Sequence, residues 1–151
     1  MEIESAISLL IEHWKKQGIK ISSVSKNEIE YVEKANNIQI PNDFKNFYSY
    51  VNGMENLYPN EMDNEGFLFY PIEAISPIEA EFINSSIPNK NRIFIFSEYM
   101  QRSWWYGYEV LDDEHYRIGI IPDAQSFVPI TNKLPDFINL YLNDDSLLYE
   151  Y

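Results

Sequence analysis

The residues able to do chemistry are few and scattered. His13 and His115 are the only histidines. Most of the chain separates them, so each reads as a solvated or capped side chain and not as half of a metal site. Cysteine is absent, which excludes disulfides, thiol nucleophiles and Cys-ligated zinc. Glu61, Asp63 and Glu65 alternate, and Gly66 follows in the sixth place of a calcium-type loop. The twelfth place, where such a loop needs a bidentate Glu, is Ile72. Asp112-Asp113 is a carboxylate pair, but glycoside hydrolysis needs two acids across a sugar cleft at about 5–10 Å. Adjacent acids in a turn do not encode that cleft. No nucleophile elbow, Ser–His–Asp order or phosphate loop is present in the sequence. The expectation is a chain with no catalytic residues, no metal ligands and no cofactor.

Charge and aromatic surface carry more information. The chain of 151 residues has 24 acids against 11 bases, a net charge of −13. That field repels phosphate backbones, so direct nucleic-acid binding is disfavoured. It attracts a basic protein and speeds the encounter, although acidity also serves solubility alone. From Lys45 to Lys90 no base intervenes, while Glu55, Glu61, Asp63, Glu65, Glu73, Glu79 and Glu81 all occur. This one-signed stretch reads either as a solvated loop surface or as a docking face for a cationic partner. Asp112-Asp113-Glu114 forms a second acidic cluster. Twelve tyrosines and three tryptophans suit half-buried sheets and interfaces. The densest group is Trp104-Trp105-Tyr106-Gly107-Tyr108. In a strand, Trp105 points opposite to Trp104, Tyr106 and Tyr108. Trp105 is then an interface anchor if its face is open, and a structural ring if both faces are covered.

These groups must be positioned by the surrounding elements. Ile3, Ile7, Leu10, Ile11 and Trp14 recur at helical spacing, and Gly18 suits the end of a helix over residues 2–17. Ser25-Lys26-Asn27-Glu28 is a capping box opening a second helix with Ile29, Val32 and Ala35 on its inner stripe. Ile40-Pro41 starts a third, with Pro41 in the first turn and Asn52-Gly53 at the end. Phe44, Phe47, Tyr48 and Val51 share its inner face. Residues 67–70 predict a strand, and a short helix is expected near 77–82. Arg92–Ser97, Trp104–Leu111, Tyr116–Ile121 and Ser126–Ile130 then read as strands. The 112–114 turn joins two of them. Leu134, Phe137, Ile138 and Tyr141 mark a closing helix. Helices, then strands, then a helix argue for an α+β fold with a largely antiparallel, mixed sheet. The length fits one domain over 1–151, with a core of about 25–143 and the first helix as a candidate appendage. The N-terminus lacks a signal-peptide pattern, and no stretch approaches the roughly 18 apolar residues of a membrane span. A cytoplasmic protein, with no membrane contact, is the expectation.

The run Ile40-Pro41-Asn42-Asp43-Phe44-Lys45-Asn46-Phe47-Tyr48, continued by Val51-Asn52-Gly53, resembles the hallmark helix of the SUKH superfamily. That superfamily includes yeast cell-wall-synthesis regulators and many bacterial immunity proteins. Phe67-Leu68-Phe69-Tyr70-Pro71-Ile72-Glu73-Ala74-Ile75 is similar to its strand-and-turn motif. Ile93–Phe96 is similar to its core strand and Leu134–Ile138 to its last helix. The ordered match spans residues 25–143. The turn Glu98–Ser103 departs from it, because many members have a glycine-rich turn there and these six residues include no glycine. The resemblance implies helices packed on a mixed sheet and no enzymatic activity. It also implies, for bacterial members, binding and neutralisation of a cognate toxin domain, often a basic nuclease.

The resulting expectation is a protein-binding domain that docks a basic toxin. Acids of the 55–81 and 112–114 segments (Glu55, Glu61, Asp63, Glu65, Asp112, Asp113 and Glu114) would steer the partner, and Trp105 would anchor it. A regulatory scaffold is the alternative. A carboxylate hydrolase is a third, requiring two buried acids converging in a pocket. The oligomeric state is open.

Overall fold

Ile3, Ala6, Ile7, Leu10 and Trp14 form one buried stripe, which makes α1 (Ile3–Lys16) an amphipathic helix. The computed structural model describes residues 1–54 and 63–151. After α1, Gly18 adopts φ of 76°. Its N–H reaches the Lys15 carbonyl, and the Ile19 N–H reaches the Trp14 carbonyl. These are the paired bonds of a glycine-terminated helix. α2 (Lys26–Ala35) is capped by Ser25, whose hydroxyl accepts from the Glu28 N–H at 3.2 Å. α2 buries only Ile29 and Val32. Ala35, expected on the inner stripe, is exposed. α3 (Asn42–Tyr50) starts one residue later than expected. Pro41 is the residue before the first turn, with ψ of 153°, and its carbonyl accepts from the Lys45 N–H at 3.0 Å.

The strands are β1 (Phe67–Phe69), β2 (Ser76–Pro77), β3 (Ile93–Tyr99), β4 (Trp104–Val110), β5 (Tyr116–Asp123) and β6 (Ser126–Thr131). They form one sheet in the order β1-β3-β4-β5-β6, with β2 also pairing β3, and every pairing is antiparallel. The expected parallel component of a mixed sheet does not occur among the described residues. α4 (Ile78–Glu81) follows β2, and α5 (Leu134–Leu142) follows β6. The whole is an α+β domain.

One sheet face packs on α3 and α5. The Phe44 ring of α3 meets Phe96 at 5.0 Å, Tyr108 at 4.6 Å and Tyr116 at 5.7 Å. Phe137 of α5 meets Phe96 and Tyr106, each at 5.3 Å. Burying a ring of this size contributes roughly 1.5–3 kcal/mol. α1 closes over this layer. Trp14 packs against Phe69 at 5.2 Å and donates from Nε1 to the Tyr141 hydroxyl at 2.9 Å. The first helix thus shares the core of residues 25–143.

The opposite face is covered by α4 and the segment from Phe82 to Arg92. Phe82 lies edge-on to Trp105 at 4.8 Å. Ser85 donates to the Ala124 carbonyl at 2.7 Å, and Asn89 donates to Glu109 at 2.8 Å. A register step between Ile95 and Ser97 interrupts the β3–β4 ladder. Phe94 and Phe96 both meet helix-side rings, yet Glu98 pairs with Trp105 on the other face. The extra residue of the bulge makes that switch, because unbroken alternation would keep residues 94, 96 and 98 on one side.

Candidate functional site

The β4–β5 hairpin tip carries Asp112, Asp113, Glu114 and His115, all exposed. The turn is built around Asp112. Its Oδ1 accepts from the backbone N–H groups of Glu114 and His115, both at 2.8 Å. His115 Nδ1 lies 2.8 Å from the same oxygen. The Glu114 N–H first, then the His115 side chain, hold the Asp112 carboxyl below the usual carboxylate range. Asp113 and Glu114 are exposed within this turn.

The tip stands over the start of α3. An open cleft between them is lined by Glu33, Pro41, Asp43, Lys45, Asp113 and His115, among others. A second cleft on the other flank of the hairpin includes Leu111, Glu114, Asn132 and Lys133. Tyr116 joins three elements here. Its hydroxyl donates to Asp43 Oδ2 at 2.5 Å and accepts from the Leu134 N–H at 2.6 Å. Burial, then the Asp43 carboxylate, push this phenol well above its ordinary pKa. Glu33 is engaged on both sides, accepting from the Ile40 N–H at 2.7 Å and pairing with Lys45 at 3.2 Å. The arrangement offers exposed negative charge on a hairpin braced by α3 and α5.

Of the other expected acids, only Asp63 and Glu65 fall within the described residues. Glu55 and Glu61 lie outside the described residues. Asp63 is only 7% exposed. Its Oδ1 accepts from the Glu65 N–H at 2.9 Å and the Phe67 N–H at 2.8 Å, and its Oδ2 accepts from the Tyr141 hydroxyl. It caps the entry to β1 and presents no charge outward. Glu65 is exposed. Glu79 pairs with Lys90 at 2.9 Å and Glu81 with Arg102 at 3.7 Å. The stretch that lacks bases in sequence is answered in space by bases from beyond it. Glu79 and Glu81 are thereby paired and Asp63 is buried, while Glu65 and Glu73 stay exposed.

Trp105, expected as an exposed anchor, is 8% exposed and covered by Phe82. Its Nε1 has no hydrogen-bond partner among the described residues. The half-exposed tryptophan is its neighbour Trp104. Trp104 stacks on Tyr99 at 4.6 Å and meets Tyr151 at 5.4 Å. The Tyr149–Tyr151 alternation was the available sequence signal for this cluster.

The buried acids Glu98 and Glu109 oppose Trp105 and Ile93 in the β3–β4 ladder. Strand rise places them roughly 13 Å apart. Each has its own arginine: Arg102 lies 3.6 Å from Glu98, and Arg117 lies 2.5 Å from Glu109. They do not converge on a shared cleft. Among the described residues no group of three or more His, Asp or Glu could hold a metal ion, and no helix is long and apolar enough to cross a membrane.

An antiparallel sheet with both faces covered, and an acidic hairpin tip set against the helix that follows Ile40-Pro41, defines a small α+β domain whose accessible chemistry is on its surface. The chain belongs to the SMI1/KNR4 family (SUKH-1), which it matches over residues 23–140. The match begins after α1 and ends within α5. Comparison with curated proteins gives no match.

Proposed function

We propose that this chain is a non-enzymatic protein-binding domain of the immunity type. It acts in the cytoplasm by masking a cognate basic toxin domain, with nuclease toxins as the favoured class. The observation that carries this reading is the 112–114 tip, where three adjacent acids stand exposed on a braced hairpin in a chain of net charge −13. Opposite charge steers a basic partner to that end of the sheet. Membership of the SUKH-1 family supports the reading, since the family resemblance implies binding without bond-making. The separation of Glu98 from Glu109, each beside an arginine, speaks against a carboxylate hydrolase.

The test is capture of the protein encoded beside this chain, followed by a toxicity assay with and without it. Formation of a complex and protection of cells support the reading. Toxicity that this chain leaves unchanged, or a neighbouring product that it does not bind, refutes the immunity role.

A further inference from the structure

At the end of β4 remote from the acidic tip, roughly 20 Å away by strand rise, the aromatic residues form a platform. Tyr99 stacks on Trp104 with ring centres 4.6 Å apart and planes at 29°. Tyr149 meets Tyr99 at 5.4 Å, and Tyr151 meets Trp104 at 5.4 Å. Trp104 is held in place. Its Nε1 donates to the Tyr106 hydroxyl at 3.0 Å, which donates to the Leu148 carbonyl at 2.5 Å. Tyr151 is 64% exposed and neighbouring Met100 51%.

The adjoining β3–β4 turn is unusual. Met100, Gln101 and Arg102 have φ of 48°, 54° and 68°. Three consecutive non-glycine residues in the left-handed region carry a backbone strain that an ordinary hairpin avoids. The turn is held by the Met100 N–H on the Gly66 carbonyl and the Ser103 N–H on the Tyr99 carbonyl, both at 2.9 Å. Arg102 adds ion pairs to Glu81 and Glu98. Such strain is typical of functional segments.

Carboxylates surround the rings. The Tyr149 hydroxyl donates to Asp144. Burial, then the charges of Asp144 and Glu65, raise the pKa of Tyr99. Arg117 lies over Phe127, and no arginine among the described residues lies over Trp104 or Tyr151. A ring face is itself electron-rich and attracts a cation. Tyr and Trp also make strong anchors because they lose little conformational entropy on binding.

We propose that the Tyr99–Trp104–Tyr149–Tyr151 platform, rimmed by Asp144 and Glu65, receives an arginine or lysine side chain of a basic protein partner. This rests on the protein-binding reading and supplies its anchor, at a site separate from the steering tip. A second copy of the chain is a poor occupant, because two copies of net charge −13 repel. The rings are tilted against one another by 29° to 76°. Edge-on rings beside the Tyr99–Trp104 stack leave no single flat surface of the kind a sugar ring packs on.

The test titrates isotopically labelled protein with a tri-arginine peptide, using tri-glutamate and a neutral glucose oligomer as controls. Indole N–H resonances report Trp14, Trp104 and Trp105 separately. Tri-arginine is expected to move Trp104 and the amides of residues 99–104 and 144–151, leaving Trp14 and Trp105 in place. Trp104→Leu is expected to weaken peptide binding about two- to fivefold, as loss of one cation–ring contact. Tyr151→Ser, at an exposed position that folding does not need, is expected to weaken it about twofold. The Asp112→Asn/Asp113→Asn/Glu114→Gln variant should leave the Trp104 shift in place. Shifts confined to 112–115, or an equal Trp104 response to tri-glutamate or the sugar, overturn the proposal. If tri-arginine ignores the platform while the neighbouring gene product still binds, the platform is refuted and the protein-binding reading stands. If the platform takes tri-arginine and no protein partner binds, the reverse holds.

Discussion

Gly53→Ala probes the hallmark segment directly. Gly53 has φ of +57°, and a Cβ there would lie 2.3 Å from the Tyr70 carbonyl oxygen and 2.8 Å from that of Phe69. The left-handed backbone costs an alanine about 1–2 kcal/mol. The clash is with backbone held in the sheet, since Tyr70 N–H bonds Phe96 and Met54 N–H bonds Phe69. Overpacking of that kind costs a further ~1–3 kcal/mol. Gly18→Ala isolates the first component. Its φ is +76°, but no described residue lies within 4 Å of the added carbon, so it should cost only about 1–2 kcal/mol. For a chain of this size, Gly53→Ala is expected to lower Tm by about 5–15 °C and Gly18→Ala by about 2–6 °C. Urea and thermal unfolding followed by circular dichroism measure both. Equal losses for the two variants would refute the argument that Gly53 is needed for close backbone approach.

Four further outcomes follow from the geometry. Trp14→Phe breaks a buried hydrogen bond to Tyr141 as well as losing volume, and should cost about 2–4 kcal/mol. Trp105→Phe removes a donor that has no partner among the described residues and should cost less than about 1.5 kcal/mol in urea unfolding. Tyr116→Phe leaves Asp43 and the Leu134 N–H without their shared partner and should destabilise by about 1–3 kcal/mol in the same assay. At alkaline pH, burial is the leading cause that keeps Tyr48, Tyr70, Tyr108, Tyr116 and Tyr141 protonated well above their ordinary value of 10.0. The unfolded chain releases these protons near pH 10 while the folded chain keeps them. Their contribution is therefore complete below about pH 10 and is lost as pH rises further. Tyrosinate absorbance from these residues should appear together with loss of ellipticity, and ionisation ahead of unfolding would contradict the burial argument.

Elements set by local chemistry were legible in the sequence. Ser25 caps α2 and Gly18 ends α1 because each acts within its own turn. The strands follow the period-two pattern, and the 112–114 turn falls where the acids interrupt it. Features created by distant chain segments were not legible. Trp105 lies on an open face only until Phe82 folds over it. Within the base-free stretch, Glu79 and Glu81 are paired by Lys90 and Arg102, which lie beyond it in sequence. Asn52-Gly53 signals a helix end, yet α3 already stops as Val51 turns extended. The pair instead clamps the chain after β1: Asn52 Oδ1 accepts from the Ile72 N–H at 2.8 Å, and Gly53 admits the Tyr70 backbone. The β3–β4 turn reaches left-handed geometry without the glycine that would announce it. At the candidate site, Asp112, Asp113 and Glu114 were readable as a cluster because they are contiguous. The bracing of that cluster through Tyr116, Asp43 and Leu134 spans three elements and no local pattern encodes it.

The central claim is that an acidic surface docks a basic protein. Its most direct measurement is calorimetric affinity between this chain and the protein encoded beside it, at about 0.05 M and 0.5 M salt, for the native sequence and for Asp112→Asn/Asp113→Asn/Glu114→Gln. The account predicts a complex that weakens at high salt, and a variant whose affinity is lower at low salt and less salt-dependent. An affinity unchanged by both salt and the triple substitution would contradict it.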